Sequence, residues 1–141
     1  MLVPLRLGVL MRHVIGFIAG AIAFAAAHAI EASHWPDWFR GSYEPWFLNS
    51  GRAALFTLAL VFVVSAAVAA LTRSPPPVRG VSAGGGACIA MAVLLFSGPG
   101  PGTIFPIVLV LGGAALLCSS LAGAWAGAVI RRAIDKHAAV M

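Results

Sequence analysis

Charge is so sparse along this chain that four long apolar runs stand uninterrupted, at residues 14–30, 53–71, 81–96 and 103–130, with no Asp, Glu, Lys or Arg inside any of them. A run of roughly 18 or more apolar residues without charge reads as a helix crossing a bilayer, because a helix satisfies its own backbone polar groups where no water can. The pattern therefore predicts four transmembrane helices. The third run is short for this purpose. The fourth would extend ~42 Å at 1.5 Å per residue against a hydrocarbon core of ~30 Å, so it should tilt or project beyond one face.

Between the runs lie punctuating segments. Residues 74–80 read Ser-Pro-Pro-Pro-Val-Arg-Gly, which predicts a stiff, tight connection that makes the second and third helices antiparallel neighbours. Residues 97–102, Ser-Gly-Pro-Gly-Pro-Gly, form a second connection with no side chain suited to chemistry. Residues 31–50 make the longest segment outside the runs and hold Trp35, Trp38, Tyr43 and Trp46. Indole and phenol rings favour the headgroup level, so these four read as interface anchors, as does Trp125 six residues before Arg131. Clustered Trp and Tyr also suit a partner or ligand platform.

Composition sharpens the class. Of 141 residues, 61% are hydrophobic and 9% charged, where soluble domains carry about a quarter charged. The expected fold is an all-α membrane protein, one domain over residues 1–141, with four transmembrane helices in an antiparallel bundle. A net charge of +5 raises the question of nucleic acid, but the basic residues sit at helix ends rather than on one polar surface, so no nucleic-acid partner is expected.

Charge placement also predicts the threading. Arg6, Arg12, Arg73, Arg79, Arg131, Arg132 and Lys136 fall on one side, and only Arg40 and Arg52 on the other. By the positive-inside rule both termini are cytoplasmic and residues 31–50 lie outside. The location that follows is a plasma membrane, and the Ala/Gly richness suggests a bacterial inner membrane. Arg12-His13, an apolar stretch and Ala27-His28-Ala29 also have the layout of a cleavable signal peptide, which would remove residues 1–29. Met11 offers an alternative start, with Pro4 ahead of it unsuited to a helix interior.

Small residues recur at helical spacing in two runs. Gly16, Gly20, Ala23 and Ala27 form a ridge on the first, and Ala115, Ser119, Gly123 and Gly127 a ridge on the fourth. Such ridges let backbones approach closely, within one chain or between copies. Gly84-Gly85-Gly86 in the third run reads either as a crowded packing site or as a partly unwound stretch offering carbonyls to an ion. Cys88 and Cys118 stand in apolar surroundings with no Cys-x-x-Cys, and read as small apolar side chains.

Candidate chemistry is confined to one stretch. His28, Glu31 and His34, spaced by three, are neighbours on a continuous helix and carry metal-ligand chemistry at the outer rim, with Asp37 beyond. Pro36 argues against helix at Trp35. Glu31 and Arg52 end facing spans at one membrane level, each disfavoured by its own helix dipole, and pair in this reading. No catalytic residue and no cofactor is expected. The residues point to a non-enzymatic packing or accessory subunit whose partners are the bilayer and other membrane helices, in a homo-oligomer or a larger complex. A small channel or uncoupled transporter is the alternative, and a membrane protein with an outer-rim metal or proton site a second one.

Overall fold

The computed structural model describes residues 3–34, 51–72, 75–97 and 105–139. They form four helices: α1 (Val3–His34), α2 (Gly51–Leu71), α3 (Pro76–Ser97) and α4 (Phe105–Ala138). Each contains a stretch long and apolar enough to cross a membrane. The helices outrun the apolar runs at their charged ends. Pro4 is the second residue of α1, where the missing N–H removes no intrahelical bond. α4 continues through Arg131, Arg132 and Lys136 to Ala138, so its 34 residues reach ~51 Å.

α3 departs most from the sequence reading. It begins at Pro76, not beyond Gly80, and its first turn is Pro76-Pro77-Val78-Arg79. The fixed φ of proline suits the first helical positions, whose N–H groups have no intrahelical partner anyway. Prolines that read as a loop instead start a helix, and Arg79 becomes a helical residue.

The helices close a ring in the order α1, α2, α4, α3. α1 packs on α3 and α2, and α4 on α2 and α3, whereas α2 and α3 meet only weakly, across the diagonal. The short proline connection does bring α2 and α3 into contact, but theirs is the weakest contact among the helix pairs that touch. Four extended residues span up to ~14 Å, enough to reach across the ring. Consecutive helices run antiparallel, which makes the pairs α1 with α3 and α2 with α4 parallel.

Side-chain size is distributed inside out compared with a soluble bundle. The interior holds Ala23, Ala27, Ala69, Ala83, Ala87 and Ala124, filled out by Phe24, Val61, Met91 and Leu116. Large residues such as Ile15, Ile18, Ile22, Leu55, Val63, Val93, Val110, Leu111 and Val129 point outward. Hydrocarbon provides no drive to bury Leu or Ile between helices, so close packing selects small residues inside, while large apolar ones face lipid. An apolar surface this continuous suits a bilayer, not water.

Candidate functional site: the arginine end of the bundle

The parallel pair α2–α4 is held by a ladder with one constant register. Ser119 Oγ donates to Leu58 O at 2.7 Å, Gly123 lies against Phe62, Gly127 against Ala66, and Arg131 Nη1 donates to Ala70 O at 3.3 Å. Each step is one helical turn on both partners. A Cβ at Gly123 or Gly127 would overlap the facing carbonyl oxygen, so only glycine permits this approach. The ridge predicted on the fourth helix is thus occupied within the chain, with Ala115 half-buried one turn above it.

The ridge on α1 meets α3 in the same manner. Gly16 abuts Ser82, Gly20 abuts the Ala83 backbone, and Gly86 returns the contact against Phe17. Ala23 and Ala27 continue the ridge into the core, at 3% and 0% exposure. The glycine triplet of α3 is continuous helix that divides its contacts. Gly84 faces Leu117 and Ser120 of α4, Gly86 faces α1, and Gly85 faces nothing within 4 Å. At the third interface, α3–α4, Ser120 Oγ donates to Gly80 O at 2.7 Å.

These contacts converge at one end on the C-terminus of α2, whose last carbonyls have no intrahelical N–H to accept from and need donors from elsewhere. Thr72 donates to Val68 O through both its backbone N–H, at 3.1 Å, and its Oγ1, at 2.6 Å. Arg79 Nη1 reaches across the diagonal from α3 to Ala69 O, and Arg131 from α4 takes Ala70 O. Two cations from two other helices therefore cap the negative end of the α2 dipole. Arg79 is 4% exposed, and its Nε and Nη2 are buried without an acceptor. Arg79 and Arg131 thus bond adjacent carbonyls at the end of α2. Arg131 Nε makes a loose 3.5 Å pair with the largely exposed Asp135. On α1, His13 Nδ1 stands 2.8 Å from Ser82 Oγ. That hydroxyl spends its proton on Val78 O, so the imidazole is the donor.

Arg79 is the residue that the sequence reading placed differently, as a loop charge serving topology. The signal that identifies it is Pro76-Pro77 read as a helix start, which puts an arginine inside the first turn. Other buried polar groups are Thr57, Ser65 and Ser120.

At the opposite end, α1 is continuous through His28, Glu31 and His34, and His28 is half-buried. The side chains of Glu31, His34 and Arg52 lie outside the described ones, as do Trp35, Trp38, Tyr43 and Trp46, so the metal group, the ion pair and four of the five aromatic anchors fall beyond the described part. Among the described residues no three His, Cys, Asp or Glu come together as a metal site. Trp125 is half-exposed on α4. Cys88 Sγ lies 3.5 Å from Gly113 O, and Cys118 faces outward.

The fold and the outward apolar surface define a multi-pass membrane protein built on a four-helix bundle. No family model, curated protein or solved structure gives a match to this chain.

Proposed function

We propose that this chain is a small non-enzymatic accessory subunit of a membrane complex, seated in a bacterial plasma membrane with its arginine end in the cytoplasm. One observation carries the reading: the small-residue ridges, the usual means of helix association, are all occupied inside the bundle. The chain is a self-contained block, and what it offers to others is its large-residue lipid face and its two ends. Two hydroxyls also serve the bundle, since half-buried Ser119 and buried Ser120 each bond a neighbouring helix.

A second reading, a small channel or uncoupled transporter, is favoured by a different observation. Ser65 and Arg79 place polar atoms without acceptors in the interior. Purification in mild detergent followed by mass spectrometry of co-purifying chains separates the two. A stoichiometric protein partner is the expected result. A chain that isolates alone and passes ions across liposomes would replace the accessory reading with the channel.

A further inference from the structure

We propose that Arg12, Arg79 and Arg131 form a binding site for a phosphate-type anion at the arginine end of the bundle. The starting point is an imbalance. A guanidinium presents five N–H donors and never gives up its charge. Arg79 makes one bond, to Ala69 O, and its Nε and Nη2 have no acceptor although the side chain is 4% exposed. Buried donors left unsatisfied are destabilising, and a buried charge short of partners more so.

The surroundings worsen the imbalance. Arg131 comes from α4 and bonds Ala70 O, next to the carbonyl that Arg79 bonds, and Arg12 on α1 adjoins His13, whose ring meets Ser82 three residues on from Arg79; both are of like charge. The C-terminus of α2 offers the equivalent of about half a negative charge. Asp135 is the one acidic side chain among those described, and it pairs loosely with Arg131 from a position 67% exposed. Three cations thus converge from three helices upon less than their compensation. An anion restores the balance.

The chemistry of that anion follows from the geometry. Cations that arrive from separate helices approach from different directions, which suits the oxygens of a tetrahedral phosphate better than the two oxygens of a planar carboxylate. Arg131 keeps a quarter of its side chain exposed and Arg12 is exposed, so both meet the anion first. Arg79 supplies the buried charge behind them, and its unused N–H groups gain acceptors when its fork turns toward the bound oxygens. A phospholipid headgroup and a free phosphate share this chemistry, and both are present at a membrane surface.

The full-length protein in uncharged detergent tests the site. Thermal unfolding is followed while phosphatidylglycerol, phosphatidylcholine or inorganic phosphate is titrated at fixed ionic strength. The expected result is a saturable rise in melting temperature with an anionic phosphate probe. A response to phosphatidylglycerol alone assigns the site to lipid, and an equal response to inorganic phosphate assigns it to the free anion. R12Q and R131Q should each weaken the apparent affinity by about tenfold, the scale of one hydrogen bond to a charged group. R79Q should abolish the response, whereas R132Q, next to the cluster, should leave it intact. If R79Q does not fold, R12Q and R131Q decide the matter, since one side chain is exposed and the other lies at the rim. No response to either phosphate probe, an equal response to phosphatidylcholine, or equal losses in R132Q and R131Q would overturn the proposal.

Discussion

At the scale of single residues, glycine here is defined by what a β-carbon would strike. Gly85 meets nothing within 4 Å, while at Gly84 a Cβ would come within 2.5 Å of Ser120 Oγ and at Gly86 it would strike the Phe17 carbonyl. Three adjacent glycines in one helix therefore predict opposite outcomes. Gly85→Ala relieves backbone freedom at no steric cost and should stabilise by roughly 0.5–1 kcal/mol, whereas Gly84→Ala and Gly86→Ala should destabilise through overpacking by ~1–3 kcal/mol. Melting temperatures in detergent check this ordering, and a lower value for Gly85→Ala would refute the assignment of faces. The same logic applies on α4. Gly123→Leu or Gly127→Leu should prevent folding or sharply lower yield, because each faces a carbonyl of α2. Ala114→Leu, on the exposed face, should express normally. Equal yields of all three would mean that the α2–α4 ladder does not form.

At the scale of elements, the α2–α4 pair shows how a weak interaction accumulates by register. Ser119, Gly123, Gly127 and Arg131 each meet a carbonyl of α2 one turn apart, so hydrogen bonds bracket two glycine contacts. Ser119→Ala removes one bond and leaves Leu58 O to its own helix; the expected cost is ~0.6–1 kcal/mol, the usual worth of an interhelical side-chain bond in a membrane. A loss of several kcal/mol in denaturant unfolding would show that the ladder is cooperative rather than additive. Sequence revealed the four spans because charge exclusion from hydrocarbon leaves a mark at every residue, and it revealed the small-residue ridges because their period is helical. It did not reveal which ridge meets which helix. Ala, Gly and Ser present nearly the same surface to any partner, and the short connection at residues 72–75 fits a diagonal as well as an edge. The start of α3 was missed for a related reason: proline breaks a helix interior but begins a helix, and only position tells the two apart. The arginine cluster was hidden by that boundary, since its central residue counted as part of a loop.

At the scale of the whole molecule, the two ends of the bundle differ, and the difference predicts how it is threaded. Arg12, Arg79, Arg131, Arg132 and Lys136 lie at or beyond one end, carried by three helices. A Lys/Arg excess beside short connections retains that side in the cytoplasm during insertion. Arg79 carries its charge into the bundle itself, where it caps α2. α4 adds Arg131, Arg132 and Lys136 to the Lys/Arg excess at the same end. The orientation is measured by labelling single cysteines in intact cells, after Cys88 and Cys118 are replaced by alanine. Cysteine at Ser42, in the segment between α1 and α2, should react with an impermeant maleimide added outside. Cysteine at Ser74, beside the C-terminus of α2, should react only once the cells are opened. Reversed labelling would place the arginine end outside, against seven basic residues. Labelling at Ser42 by a chain whose intact mass lacks residues 1–29 would leave three spans, and α3 would then have lost the glycine ridge of α1 that Gly86 fits. Since Gly16, Gly20 and Gly86 interlock, a retained α1 is the expected result, and the intact mass of the purified chain settles it in one measurement.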